Sequence, residues 1–186
     1  MANILNKKNV TKALKTIIFL SVLIYFITSV INYVLPVKYE NLIEKYCIKY
    51  DLKKELVFSV INVESRFKKD AVSNKGAIGL MQIMPETGKW LADKMGLKNF
   101  NENMLYEVET NLNIGCYYLA YLLEKFDKDE KLALCAYNAG VTNVYKWLNN
   151  EDYSKDGDIH TIPFKETDKY VKRIQLIKKL YKIVLK

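Results

Sequence analysis

The chain holds one histidine, three cysteines, three prolines and seven glycines in 186 residues, and each scarcity removes a class of protein. The histidine, His160, falls in the polar stretch 149–161. A Ser-His-Asp triad or a multi-histidine metal site is hard to build around it, and an exposed loop residue is expected. Cys47, Cys116 and Cys135 cannot all pair with one another, and their wide spacing matches no zinc pattern. Cys116 and Cys135 lie inside apolar helical patterns, where a thiol acts as a small hydrophobe, so unpaired core cysteines are expected, with one disulfide left open outside the cell. So little glycine and proline excludes a collagen-like polymer, and a composition that is half apolar does not resemble a disordered one. Internal repeats, low-complexity tracts and convincing alternating runs are also missing, which leaves a mostly α domain with at most a small β-hairpin in residues 76–84.

Acidic residues are absent from the first 35 positions, which carry Lys7, Lys8, Lys12 and Lys15, half of the formal charge of +8. The remaining surplus suits an anionic surface such as cell wall or lipid headgroups and is too weak and dispersed for nucleic acid. Thr16 to Leu35 contains no charged residue and is long enough to cross a bilayer as a helix. With the lysines before it and few basic residues just after, the positive-inside rule places residues 1–15 in the cytoplasm and residues 36–186 outside the cell membrane. No small-x-small cleavage site follows the run, so an uncleaved single-pass anchor is expected rather than a signal peptide.

Beyond Pro36 nearly every segment reads as helix. The spacing predicts a helix over 38–50, a second from Leu52 to about Glu64 with Asp51 as N-cap, and a loop over 66–84 hinged at Gly76 and Gly79. A short helix opens at Pro85 and ends near Gly96, and a long one covers about 107–127. Asp129 caps a helix reaching Ala139, Val141–Leu148 follows, and 149–163 is a polar surface connection. The last helix, 165–186, aligns Glu166, Tyr170, Ile174, Ile177 and Tyr181 on one face.

The chemistry concentrates around Glu64. It shares a helix face with Val57, Val60 and Ile61, so its carboxyl emerges from an apolar stripe. Desolvation there raises a carboxyl pKa and keeps part of it protonated near neutrality, as a general acid requires. After it come a Gly-bounded loop carrying Ser73 and the run Gly79-Leu80-Met81-Gln82-Ile83-Met84-Pro85.

Four blocks in chain order then carry a resemblance: Glu64-Ser65; Gly76 through Pro85; Ala136-Tyr137-Asn138-Ala139-Gly140; and Ile162-Pro163 with Glu166-Thr167 and Tyr170-Val171. Together they resemble the soluble lytic transglycosylase family, whose catalytic domain has a goose-type lysozyme-like helical fold, over about residues 40–180. The resemblance implies that Glu64 is the single catalytic acid and base, and that Ser73 hydrogen-bonds near the reacting sugar. It further implies that Met81 and Gln82 line the cleft, that Tyr137 and Asn138 form a glycan subsite, and that the Tyr170 hydroxyl lies near the catalytic carboxyl. Glu166, one turn before Tyr170, is expected to orient its surroundings instead of reacting, Thr167 to pack, and Ser65 to hydrogen-bond at the helix end. Cys135 stands where the family usually has a small apolar residue.

Glycosidases usually flank the bond with two carboxyl groups. Asp70, Glu86, Glu109 and Glu166 are available here, and none matches a second catalytic position of the family. The resemblance implies instead that Glu64 protonates the glycosidic oxygen and then deprotonates the sugar's own 6-hydroxyl, closing a 1,6-anhydro ring. Together with the anchor read from residues 16–35, it leads to a membrane-anchored peptidoglycan lytic transglycosylase that cleaves between N-acetylmuramic acid and N-acetylglucosamine, with no metal or cofactor implied. A hydrolase of the same fold and a non-catalytic wall-binding module of some envelope machine are the alternatives.

Overall fold

The computed structural model describes residues 7–185, and its contacts divide the chain at Pro36 into two units. In the first, α1 (Lys7–Val34) contains an apolar stretch, Val10–Val34, long and apolar enough to cross a membrane. Its described side chains lie exposed along the whole length. The apolar stretch begins six residues earlier than the charge-free run because a helix tolerates Lys12 and Lys15 near its end.

The second unit is helical: α2 (Glu40–Lys49), α3 (Lys54–Ser65), α4 (Pro85–Lys94), a 3₁₀ turn (Glu102–Tyr106), α5 (Val108–Lys125), α6 (Glu130–Ala139), α7 (Val141–Leu148) and α8 (Lys165–Val184). At its centre is α3, where Leu56 to Asn62 are all buried; each large side chain there contributes about 1.5–3 kcal/mol by leaving water. It packs most extensively against α8, while α6 touches α5, α7 and α8. Two side-chain bonds tie α8 to the end of α3: Asn62 Nδ2 donates to the Tyr181 hydroxyl at 3.0 Å, and the Tyr170 hydroxyl donates to Glu64. Phe58 also packs between the tilted rings of Phe67 and Tyr181, at 5.6 and 5.3 Å. These contacts fix the point where α3 stops, and with it the catalytic candidate.

Two local expectations need correction. Asp51 does not cap α3. It sits at φ 52° just past α2, and the Leu52 N–H closes back on the Cys47 carbonyl at 2.9 Å, so this residue ends one helix instead of starting the next. Lys53 takes the N-cap position without a side-chain bond. The regular hairpin also lies elsewhere: β1 (Ser154–Lys155) and β2 (Asp158–Ile159) pair antiparallel inside the polar connection, joined by Asp156 and Gly157, both at positive φ. Asp-Gly is the strongest short signal for such a turn, and here it overrides the polar composition. In residues 76–84 only isolated bridges form, Val72 with Ile78 and Ile78 with Ile83.

Other details match the sequence reading. Pro85 occupies the first turn of α4, and the Asp129 carboxylate accepts the Leu132 N–H at 2.9 Å. All three cysteines are free and buried, and His160 is exposed, its ring Nδ1 3.0 Å from the Thr161 hydroxyl.

Candidate active site

Glu64 is the penultimate residue of α3 and faces an open cavity of about 540 Å³. Val57, Val60 and Ile61, which share its helix face, have no exposed surface, so the carboxyl lies against apolar groups on the inner side. Burial is the main influence on it and pushes its pKa up, the Tyr170 hydrogen bond pulls it down, and the negative charge of Glu166 pushes it up again; the result is about 7. The Tyr170 hydroxyl donates to Glu64 Oε1 at 2.6 Å, within the range of a charge-assisted bond. Burial and the adjacent Glu64 hold the Tyr170 phenol well above its ordinary value, so it remains a donor.

The loop between α3 and α4 forms the opposite wall, and its shape rests on buried polar bonds. Asn111 of α5, 1% exposed, accepts the Met81 N–H at 2.8 Å and donates to the carbonyls of Ile78 and Leu105 at 2.9 and 2.8 Å. Gly79 is required directly beside it: at φ 81° a Cβ would lie 2.2 Å from Asn111 Nδ2 and 2.5 Å from the Leu105 carbonyl. Ser65 anchors the other end, donating to the Leu80 carbonyl at 2.8 Å. Asn111 escaped the sequence reading, because nothing local distinguishes it from Asn113 two positions on; only the buried partners it meets in the fold do.

Ser73, Gln82, Tyr137 and Asn138 line the same cavity as Glu64. The Ser73 hydroxyl oxygen accepts the Ala77 N–H at 2.9 Å, leaving its proton to donate. Gln82, at φ 49°, donates Nε2 to the carbonyls of Gly79 and Ala71 at 2.8 and 3.1 Å, which leaves the amide oxygen as an acceptor. Asn138 Oδ1 accepts the Thr167 hydroxyl at 2.8 Å, so its amide nitrogen remains for a ligand. Thr167 therefore does more than pack. The Tyr137 hydroxyl donates to the Met81 carbonyl at 2.8 Å and joins α6 to the loop.

Met81 departs from its expected place. Its side chain has no exposed surface and packs on Gly115, where an added Cβ would meet Sδ at 2.4 Å; Cys116 Sγ is 4.0 Å away. Because its N–H and carbonyl are both held from below, the thioether points into the core. The methionine that lines the cavity is Met84, 40% exposed, three residues on.

Asn74, Lys75 and Ala77 also line the cavity, and sequence reading did not single them out. Glu166 does too, exposed and 3.7 Å from Lys75 Nζ across the rim. Asp70 is exposed beside Lys69, Glu109 is bound to Lys45 and Tyr46, and Glu86 lines a separate hollow with Phe100. Among the described residues, Glu64 and Glu166 are thus the carboxylates in this cavity, and Glu64 is the half-buried one, set against the apolar wall. No cluster suited to a metal occurs among the described residues.

Comparison with known proteins fits this arrangement. The family model described as the transglycosylase SLT domain matches residues 41–160, more than half of the chain. The soluble lytic murein transglycosylase of Salmonella typhimurium is 34% identical over 142 residues, covering 75% of this chain and 22% of that protein. The membrane-bound lytic murein transglycosylase C of Haemophilus ducreyi is 34% identical over 118 residues, covering 59% of this chain and 32% of that protein. An inactive-mutant structure of the lytic transglycosylase Slt from Pseudomonas aeruginosa superposes with a TM-score of 0.76 at 30% identity, over 83% of this chain and 25% of the other. The 70 kDa soluble lytic transglycosylase of Escherichia coli gives 0.75 at 30%, over 81% and 25%. The chain spans about a third or less of the length of these relatives. A mostly α, lysozyme-like chain with this loop and this half-buried carboxyl belongs to the transglycosylase SLT domain family.

Proposed function

We propose that the protein is a peptidoglycan lytic transglycosylase in which Glu64 acts alone, first as acid and then as base. The observation that carries this reading is a shielded carboxyl at about 7, bonded to a tyrosine hydroxyl, in a cavity whose other carboxylate stays exposed at the rim. Near neutrality such a group is partly protonated, so it can donate to the glycosidic oxygen between N-acetylmuramic acid and N-acetylglucosamine. Departure of the alcohol leaves positive charge at the anomeric carbon and negative charge on Glu64, which the Tyr170 hydroxyl stabilises. The carboxylate then takes the proton of the sugar's own 6-hydroxyl as that oxygen bonds to the anomeric carbon. The bond to the leaving oxygen is broken, a 1,6-anhydro ring is formed, and Glu64 ends protonated as it began. Holding the internal hydroxyl in place supplies a high effective concentration, so no base-activated water is needed.

Ser73, Gln82, Tyr137 and Asn138 bind the glycan in this scheme. The Ser73 hydroxyl and Asn138 amide nitrogen donate, the Gln82 oxygen accepts, and the Tyr137 ring gives an apolar face, a set suited to acetamido and hydroxyl groups. Met84 supplies the thioether contact. Residues 1–15 are cytoplasmic, residues 16–35 anchor the protein in the cell membrane, and the unit after Pro36 works outside on the wall; the lysine-rich start and the apolar stretch of α1 support this orientation.

Digestion of purified peptidoglycan followed by mass analysis tests the reading. Products lacking one water are expected, and reducing ends would mean that water attacks instead. Wall zymography comparing the wild type with Glu64→Gln separates an enzyme from a wall-binding module, which would clear the gel in neither case.

A further inference from the structure

A track of aromatic rings leads out of the cavity. Tyr137 lies 5.2 Å from Tyr118 on α5, and Tyr118 lies 6.3 Å from Trp90 on α4. The indole stands at 90° to Tyr118 and at 78° to Tyr121, whose ring is 5.3 Å away. Two edge-to-face contacts from neighbouring turns of α5 thus clamp a side chain that remains 42% exposed. An indole held in one orientation loses little freedom when something stacks on it. Positive charge lies beside Tyr121: Lys94 Nζ is 5.5 Å from its ring centroid and Lys125 Nζ is 5.9 Å, and neither lysine forms an ion pair among the described residues.

We propose that Trp90 is a stacking platform for a further sugar of the glycan strand held at Glu64, with Tyr118 and Tyr121 as its buttress. Lys94 and Lys125 attract the carboxylates that such a strand carries on its lactyl and peptide groups. The occupant follows from two features. The track is continuous with the cavity through Tyr137, so a strand leaving Glu64 on that side passes over it, and a pyranose offers an apolar C–H face to an indole. The charge is also complementary to an acidic polymer. This proposal rests on the peptidoglycan reading above.

The test uses the full-length chain in detergent. Sedimentation of Glu64→Gln with purified sacculi gives affinity, and steady-state digestion by the otherwise wild-type protein gives KM and kcat. Trp90→Ala should weaken sacculus binding and raise KM about tenfold at nearly constant kcat, and Trp90→Phe should recover most of the loss. Lys94→Glu, at an exposed position, should weaken binding at low salt and have little effect at high salt, independently of whether Trp90→Ala folds. Unchanged affinity in folded Trp90→Ala, or a fall in kcat without a change in KM, would overturn the platform. If the wild type cleaves sacculi, such a result refutes the platform alone; a wild type that neither cleaves nor binds them overturns the underlying reading with it.

Discussion

Replacing Glu64 with Gln should inactivate the protein and stabilise it at the same time, and the second effect depends on pH in a defined direction. The folded carboxyl sits at about 7 against an ordinary 4.5, so keeping it ionised inside the native protein costs about 3 kcal/mol. Below about 4.5 the group is protonated in both folded and unfolded chains and imposes no penalty. As pH rises toward 7 the unfolded chain releases the proton while the native protein holds it, so native stability declines; above about 7 the loss is complete. Gln carries no charge at any pH, and its carbonyl can still accept the Tyr170 hydroxyl. The variant should therefore match the wild type near pH 4.5 and exceed it at pH 8 by about 1–3 kcal/mol, the lower figure applying where cavity water relaxes the penalty.

For a unit of this size, 1 kcal/mol moves Tm by about 2–4 °C, so a gain of roughly 5 °C at pH 8 is expected. Thermal melts of a protein beginning at Val37, followed by circular dichroism at both pH values, measure the difference, and the other titrating groups cancel between the two proteins. Loss of activity should exceed about 100-fold. A Tm difference equal at both pH values, or a variant less stable at pH 8, would refute the claim that burial holds this carboxyl neutral.

Tyr170→Phe removes the donor that favours the ionised carboxyl, so turnover should fall about 10- to 100-fold and the alkaline limb of the kcat/KM profile should move upward from about 7; an unmoved limb would reduce Tyr170 to packing. Asn111→Ala should cost about 2–4 kcal/mol in denaturant unfolding, because it strands the Met81 N–H and two buried carbonyls. A protein beginning at Val37 should be soluble and active while the full chain fractionates with membranes; recovery of a shortened protein in the wash of intact cells would mean that α1 is cleaved.

Helix existence was legible because burial imposes periodicity. Ile174, Ile177 and Tyr181 repeat at helical spacing and are buried on one face of α8, and α3, apolar on most sides after Leu56, lies at the centre. Features decided by backbone geometry read less well. Asp51 has the chemistry of an N-cap but takes the left-handed position that terminates α2. Met81 and Met84 are the same residue type three positions apart, and only the bonds fixing the Met81 backbone determine which thioether reaches the cavity. The staple at Asn111 joins segments about thirty residues apart, a pairing that no local pattern encodes.

The cavity's polar groups are oriented from behind. Thr167 holds the Asn138 oxygen, two loop carbonyls hold the Gln82 nitrogen, and the Ala77 N–H holds the Ser73 oxygen. Each residue is left with one defined capability toward a ligand: a donor at Asn138, an acceptor at Gln82, a donor at Ser73. Amides free to turn would present either end and lose entropy on binding, whereas these are set before a ligand arrives. The same economy applies at Glu64, whose protonation is governed by apolar walls and one tyrosine instead of a second shielded acid. A site built this way depends on the helices meeting in one register. If α8 shifted by a single turn, Tyr170 would leave the carboxyl and Thr167 would leave Asn138 together, because both project from the first turns of the same helix.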